Sequence, residues 1–403
     1  MHNVRLKAQH MAVGYADHTM VAAAPREDTR VFSINVCRTP ADIEPLLHDW
    51  RALEATAASQ SVFTSSAWAT KVLEQFSSDA AFQAVIMTAR DNGRLVALWP
   101  LAIQSRNYVR VLASIGAPLD QYSEILIDRA ATPGPIIGGI LGKLRSADVA
   151  DGLILRKLKV SGPLFKQLST SGRTIDGGDE APKVSIDPDA PFDDFMSTVK
   201  SKTRKNLRNY TNRLERLGNL EHKVVTGTAA ADVIAQSFVQ RRTWLADNGL
   251  SSEAFRDPRF KPFVHSLGAT GNDLQIIAFA MLLDGEPIAL QWGFIHQRQY
   301  FAFISSRNPE FEKYSVGRIH LQHIIEECHT RGLTTLDLMV PAVPYKLSWT
   351  KTTEHVVDVI WPWTLKGHVV LGVIEQHVRP HMKKLAHQLP DAIRKPLMRL
   401  ANR

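Results

Sequence analysis

The sequence lacks long apolar runs and is poor in cysteine. No stretch of its 403 residues approaches the 18 or so consecutive apolar residues that a membrane-spanning helix needs, so no such helix is predicted. Cys37 and Cys328 are its two cysteines and lie far apart, which excludes a disulfide framework and favours a reducing, cytoplasmic location. We expect Cys328 to be a core residue of a helix rather than a nucleophile.

The first 30 residues lack the features of a signal peptide. They have no charged start followed by an apolar middle and a small-residue cleavage site, and we expect a disordered leader. The rest of the chain has an ordinary globular composition, with 44% hydrophobic and 22% charged residues.

Positive charge is concentrated in two segments, although the whole chain carries a net charge of +8. Residues 200–216 contain seven Lys or Arg and one acid, in a pattern that predicts a helix with one packed and one cationic face. That face is either simply solvated or steers an acidic substrate, and nucleic acid is a weaker candidate because no known binding motif accompanies it. Residues 366–403 contain eight basic residues and two acids, and we expect a helical tail that docks on the protein or contacts an anionic membrane surface.

The most informative pattern is a strand, a loop and a helix that begins at Ser-x-Gly-Arg. The strand spans about residues 300–306, and the helix opens with Ser315, Gly317 and Arg318. A helix start offers unpaired N–H groups and the positive end of the helix dipole. Glycine lets a ligand approach the backbone, so these three residues predict an anion site suited to a pyrophosphate.

The segments that follow complete a resemblance to a known family. A strand ends at Asp337, and Tyr345-Lys346 and Trp349 come soon after it. This order resembles the C-terminal half of GNAT-type acyltransferases, in the branch associated with cellulose and exopolysaccharide biosynthesis and related to the Fem-type peptidyltransferases. Three earlier segments agree with that branch: Phe63–Trp68, Arg94–Leu101 and Lys202–Arg208.

The resemblance implies an α/β fold of two tandem GNAT-like domains, each a mixed sheet flanked by helices. A turn followed by a strand of similar sequence occurs at residues 89–101 and again at 283–292, which supports two similar halves. We expect a leader, an N-terminal domain, a Gly- and Asp-rich connection, a C-terminal domain with the acyl-CoA site, and a basic tail. Their bounds are 1–30, 31–160, 161–190, 191–362 and 363–403.

The same resemblance implies roles for particular residues. Acetyl-CoA or another acyl-CoA is the expected co-substrate, held at its pyrophosphate by Ser315, Gly317 and Arg318. Gln291 and Trp292 lie on the strand that we expect to splay from its neighbour and to pair with the pantetheine arm, with a backbone N–H as oxyanion donor. Edge placement explains Gln291 equally well.

Three residues are candidates for catalysis. Asp337 is expected to orient or deprotonate the acceptor, or else to cap a helix or form an ion pair with Lys346 or Arg318. Tyr345 is expected to protonate the departing thiolate or to pack against Trp349. Lys346 is expected to bind an anionic part of the acceptor or co-substrate.

One departure from the family pattern concerns the loop after Asp337. The family usually has a glycine two or three residues after the aspartate, whereas this chain has Met339-Val340-Pro341. We therefore expect a stiffer loop. This difference bears on which acceptor the protein takes and on whether the protein is active. His320 and His323 lie three apart on the predicted helix, but this spacing favours an ordinary helix face and no metal site is predicted.

The predicted function is direct acyl transfer, in the simplest case of acetyl, to an amine or hydroxyl of a small molecule or glycan. Two alternatives stay open: aminoacyl transfer from an aminoacyl-tRNA, as in the Fem relatives, and a non-catalytic accessory role in polysaccharide export. The sequence does not predict an oligomeric state.

Overall fold

One mixed sheet of 13 strands runs through the computed structural model, which describes residues 32–378 except 60, 107–108, 148, 171–172, 251 and 270–272. The strand order is β1-β2-β3-β4-β6-β13-β7-β12-β11-β10-β9-β8, with β5 paired to β3. The strands are β1 Ser33–Cys37, β2 Phe82–Asp91, β3 Arg94–Arg106, β4 Val109–Ser114, β5 Leu126–Ile127, β6 Gly152–Lys159, β7 Arg173–Ser185, β8 Leu220–Thr226, β9 Gln275–Leu283, β10 Glu286–His296, β11 Gln299–Arg307, β12 Thr335–Asp337 and β13 Thr353–Pro362.

Helices cover both faces of this sheet. The α-helices are α1 Pro40–Ile43, α2 Leu46–Thr56, α3 Ser66–Phe76, α4 Pro133–Ser146, α5 Pro163–Leu168, α6 Phe192–Thr198, α7 Ser201–Glu215, α8 Ala231–Asp247, α9 Glu253–Arg256, α10 Phe260–Leu267, α11 Val316–Thr330, α12 Pro344–Leu347 and α13 Leu365–Gly367. Short 3₁₀ helices span Val62–Thr64, Gly227–Ala230 and Pro309–Tyr314, and a π-helix spans His368–Val378. The expected α/β fold of GNAT-like type, a mixed sheet flanked by helices, is confirmed.

The segment 161–190 differs from the expected connection. It contains α5 and the long strand β7, which pairs with β13 on one edge and with β12 on the other. Its glycines and acidic residues suggested a linker, but pairing on both edges satisfies the backbone groups and overrides the weak local strand preference. β13 also pairs with β6, so the sheet continues across this region, and the division into two domains stays a prediction.

Two apolar cores lie on opposite faces of the C-terminal strands. One contains α7 and α11 and includes Leu207, Ile319 and the predicted core residue Cys328, which is 1% exposed. The other joins α8 and α10 to α3, where the rings of Trp68 and Phe294 meet at 5.6 Å. The sheet thus has a separate helical layer on each side at the strands that carry the predicted site.

The C-terminal helix begins with α13 and leaves part of its surface exposed. Leu371 is buried against Val109 and Ile360, so this part of the predicted tail docks on the sheet. Leu365 and Val369 are exposed. The rest of the predicted basic tail and the predicted leader lie outside the described residues. None of the helices within residues 32–378 is long and apolar enough to cross a membrane.

A β-bulge in β10 and β11 depends on the glycine at position 293. The pairing shifts between Trp292 and Gly293, and a Cβ at position 293 would lie 1.9 Å from the carbonyl oxygen of Phe301. Any side chain there must push two paired strands apart, because the obstructing atom belongs to the backbone.

We therefore expect Gly293→Ala to lower the free energy of unfolding by about 1–3 kcal/mol, the range for overpacking a well-filled site. Gly142→Ala is the matched control. Gly142 is exposed on α4 with no atom near its added Cβ, so alanine there should stabilise the helix by about 0.5–1 kcal/mol. Urea unfolding of both variants measures the two shifts, and equal shifts would contradict the bulge geometry.

Candidate functional site

The strands β11 and β12 part from each other and form a fork. They pair in parallel only from Gln299–Thr335 to Phe301–Asp337. β12 ends there, while β11 continues to Arg307. Because backbone groups alternate between the two edges of a strand, every second residue of the 302–307 stretch leaves its N–H and C=O on the edge that β12 has vacated. Such an open edge in a sheet interior is available for pairing with an extended ligand.

The predicted splay was assigned to the wrong strand. β10, which carries Gln291, is paired with β9 on one edge and with β11 on the other over most of its length. Short antiparallel connections hold β9, β10 and β11 together. The gap instead opens beside β12. This strand follows α11 in the chain, pairs with β11 in parallel and ends after three residues.

The bulge at Gly293 decides which residues of β10 face the fork. Gln291 lies opposite Ser305 and lines the cleft, where its side chain is within 3.5 Å of the Tyr300 hydroxyl. Trp292 faces the other side, where it is fully buried and its indole N–H donates to Ser237 Oγ at 2.8 Å. The structure therefore corrects the predicted placement of Trp292: it belongs to the core and does not line the cleft.

A cleft of about 560 Å³ occupies the fork. Its walls come from the open half of β11, the loop from Leu338 to α12, the first turns of α11 and the C-terminal end of α8. Four of the predicted site residues line it: Gln291, Gly317, Tyr345 and Lys346. The fork thus assembles residues that are more than 50 positions apart in the sequence.

The start of α11 forms one end of the cleft. Ser315 occupies the N-cap position with φ of +54°, and its side chain makes no capping hydrogen bond. Its carbonyl instead accepts from the Arg318 N–H at 2.8 Å. A Cβ on Gly317 would meet no atom within 4 Å, although Gly317 lines the cleft. The space that glycine leaves is therefore open to a ligand, as the anion-site prediction requires.

Lys346 holds the loop that forms the opposite wall. Its ammonium donates to the carbonyl oxygens of Leu338, Met339 and Pro341 at 2.7, 2.9 and 3.1 Å. An ammonium has three N–H donors, and all three are engaged, so the structure corrects the predicted direct grip on an anion. Burial lowers the pKa of Lys346 to about 8, and the Asp337 carboxylate opposes that change.

Tyr345 lies beside Lys346 on the cleft wall. Burial raises its pKa, while Arg307, a hydrogen bond with Ser305 and Arg241 act in the opposite direction. The phenol is therefore protonated at neutral pH and can donate a proton inside the cleft.

Asp337 lies beneath this wall and does not line the cleft. Its side chain is 1% exposed, and Oδ1 accepts from the Tyr122 hydroxyl at 2.7 Å and from the Met339 N–H at 2.8 Å. Burial raises its pKa, and Lys183 and Lys159 oppose that change. Tyr122 comes from the N-terminal half, so Asp337 ties the fork to that half.

The histidines of α11 do not make a metal site in the described residues. Burial lowers the pKa of His320 to about 3 and also lowers that of His323. The His222 ring lies tilted against the His323 ring, with ring centroids 3.4 Å apart. Within residues 32–378, apart from the gaps named above, no group of three His, Cys, Asp or Glu side chains could hold a metal ion.

Sequence reasoning missed the cations that surround the cleft. Lys157 from β6, Arg241 from α8 and Arg307 from β11 line it. They lie on three separate elements and form no local pattern. Lys157 carries one unusual feature, a φ of +52°, that no sequence rule anticipates for lysine.

Comparisons with known proteins agree with this geometry. Residues 201–347 match the family model described as an acetyltransferase (GNAT) domain, a range that contains the whole fork. The crystal structure of FemX has a TM-score of 0.57 and 9% identity, over 81% of this chain and 98% of that chain. The C-terminal domain of a putative lysylphosphatidylglycerol synthetase from Agrobacterium fabrum has a TM-score of 0.50 and 13% identity, over 81% and 94%. A search of curated proteins finds no match. The chain thus has a GNAT acyltransferase fold. Because the two solved structures are only 9% and 13% identical to this chain, they support the fold alone.

The lowered pKa of Lys346 predicts a pH-dependent contribution to stability. The folded-state pKa is about 8 and the ordinary value is 10.5, so between these values the unfolded chain binds more protons. Stability therefore rises with pH in that window, by about 3 kcal/mol at most for a shift of this size.

We expect the difference in unfolding free energy between the wild type and Lys346→Met to grow in favour of the wild type from pH 8 to pH 10.5. Urea unfolding at several pH values measures it, and other titrating groups cancel in the difference. A difference that stays constant across this range would contradict the buried ammonium.

Proposed function

We propose that this protein is an acyltransferase that uses an acyl-CoA, in the simplest case acetyl-CoA, and transfers the acyl group directly to an amine or hydroxyl. The observation that carries the proposal is the fork between β11 and β12, whose open backbone edge leads to the start of α11. An extended donor with a pyrophosphate at one end matches both features. The cleft volume of about 560 Å³ is in the range of small-molecule and co-substrate sites.

The donor would bind along the open edge of β11. Its pantetheine amides would pair with the backbone of residues 302–307, as an added strand does. Its pyrophosphate would lie at the N–H groups of α11, near Ser315, Gly317 and Arg318, where the helix dipole favours negative charge. Gln291 would contact the arm through its side chain, because the backbone of β10 is occupied by its neighbours.

The chemistry needs no covalent enzyme intermediate. The acceptor nitrogen or oxygen attacks the thioester carbonyl and forms the new bond, and its proton passes to water. A free backbone N–H at the fork stabilises the oxyanion. The carbon–sulfur bond then breaks, and the thiolate takes the Tyr345 phenol proton, which solvent restores.

Asp337 has a positioning role in this proposal. The sequence made it a candidate base, but its oxygen is bonded to Tyr122 and Met339 beneath the cleft wall. It fixes the Met339 backbone, and Lys346 fixes the adjacent carbonyls. Together they set the width of the fork at the point where the thioester would lie.

A second candidate function is aminoacyl transfer from an aminoacyl-tRNA. The basic helix α7 favours it, since Arg213 lies 5.2 Å over the ring of Tyr314, just before α11. Arg213 also lines a polar surface depression on α7 together with Asn209 and Arg216. FemX and the lysylphosphatidylglycerol synthetase domain share the fold, but a shared fold does not establish that this chain uses the same donors.

The polysaccharide link and the accessory role rest on the resemblance alone. The third possibility, a non-catalytic protein with this fold, predicts either no CoA binding or CoA binding without thiol release. An acetyl-CoA hydrolysis or transfer assay that follows the free thiol separates it from the enzyme.

The central test is a substitution that fills the space beside the start of α11. Gly317→Glu should fold normally, because nothing lies within 4 Å of its Cβ, yet its carboxylate would block and repel a pyrophosphate. We expect isothermal titration with acetyl-CoA to show at least a hundredfold loss of affinity, the effect of about 2.7 kcal/mol.

Gly142→Glu is the matched control, since Gly142 also lies on a helix with open space at its Cβ. It should bind acetyl-CoA like the wild type. If the wild type binds neither acetyl-CoA nor CoA, the acyl-CoA proposal is wrong, and titration with aminoacyl-tRNA becomes the decisive measurement. Equal binding by Gly317→Glu and wild type would instead place the donor elsewhere.

A further inference from the structure

The cleft has a second side, which the proposed donor does not use. α8 packs on the face of the sheet opposite α11, as the bond from Trp292 to Ser237 shows. Arg241 and Trp244 lie one to two turns further along α8 and line the cleft from that face. Gln121 and Lys157, from the N-terminal half, line it too.

This second side is cationic. The Arg241 guanidinium lies 4.4 Å over the Trp244 ring and is half-buried. The charged or polar groups that act on it are Arg307, which repels it, and the Tyr345 hydroxyl. Among the described residues that line the cleft, none is Asp or Glu. Burial and Arg307 both disfavour the charged form of Arg241 and lower its pKa.

Lys157 adds a second buried cation, although acids lie near it. Its ammonium donates to Gln121 Oε1 at 2.8 Å, and Asp358, Asp120 and Asp179 partly offset its charge. Arg241 has no comparable compensation. A cation that is partly removed from water with no acid beside it is costly, and a ligand anion would offset that cost.

Two features make Arg241 suited to an oxyanion. A guanidinium presents paired N–H donors that match phosphate or carboxylate, and it is less strongly hydrated than an ammonium. Trp244 fixes its plane by stacking, which reduces the entropy lost on binding. Arg307 lines the same opening, but its guanidinium pairs with the Glu312 carboxylate at 3.1 Å, so the charge that binds the anion comes mainly from Arg241.

We propose that the α8 side of the cleft is the acceptor subsite and that it selects acceptors bearing a phosphate or carboxylate, which Arg241 binds. This inference rests on the proposed acyl transfer and adds the acceptor class. It excludes cationic acceptors such as polyamines, because Arg241 and Lys157 repel them. The acceptor anion and the donor pyrophosphate lie on opposite faces of β11.

The experiment titrates inorganic phosphate, and separately acetate, into the full-length protein saturated with CoA. Saturation occupies the site at α11, so any further anion binding reports the second subsite. The wild-type complex should bind phosphate or acetate, and the stronger of the two shows which oxyanion fits. Arg241→Gln should weaken that binding at least tenfold and leave CoA affinity within twofold. Arg241→Lys should recover part of it.

Arg242→Gln is the matched control, since Arg242 is the exposed neighbour on the same helix. It removes the same charge and should leave anion binding unchanged. The inference is overturned if the CoA complex binds neither anion, or if Arg241→Gln weakens CoA as much as it weakens phosphate. The latter result would make Arg241 part of the donor site.

Failure of the proposed function gives a different result. If CoA does not bind, phosphate is titrated separately into the free wild-type protein and into the Arg241→Gln and Gly317→Glu variants. Loss in Arg241→Gln but not in Gly317→Glu would keep the anion subsite while removing the acyl-CoA donor. Loss in neither variant would remove both.

Discussion

The unequal length of two parallel neighbours is the constraint on which the rest of the site depends. β12 has three residues and β11 has nine, so the sheet has an unpaired edge in its interior rather than at its margin. Unpaired backbone groups in a buried position need a partner. In the proposed function the acyl-CoA donor supplies that partner. The bulge at Gly293, the start of α11 and the loop after Asp337 all act on the shape of this gap.

A small hydrogen-bond network fixes the loop that borders the gap. The Asp337 carboxylate accepts from the Met339 N–H, and the Lys346 ammonium donates to the carbonyl groups of Leu338, Met339 and Pro341 in the same loop. Met339 itself takes a φ of +53°, the conformation that glycine adopts most easily. The resemblance leads us to expect a glycine two or three residues after the aspartate, and here a methionine at the second position has a conformation that favours glycine. Strain of about 1 kcal/mol is accepted where the surrounding bonds fix the loop.

Local patterns in the sequence predicted much of the fold and part of the site. The strands and helices around residues 274–337 follow hydrophobic periodicity, and Gly317 at the start of α11 is a local signal of a ligand site. The fork could not be assigned from the sequence, because it depends on which strands pair and not on their composition. The glycines and acidic residues of β7 do not predict a strand. The segment is extended because it pairs with β13. Arg241 and Lys157 reach the cleft from distant elements, so no spacing in the sequence indicates them.

The most direct test of this account is hydrogen–deuterium exchange of the backbone amides with and without acetyl-CoA. The account predicts that binding protects amides of β11 between residues 302 and 307 and the first turn of α11, while β10 changes little because both its edges are already paired. Protection confined to other strands, or no protection of residues 302–307 at saturating acetyl-CoA, would contradict the claim that the fork holds the donor.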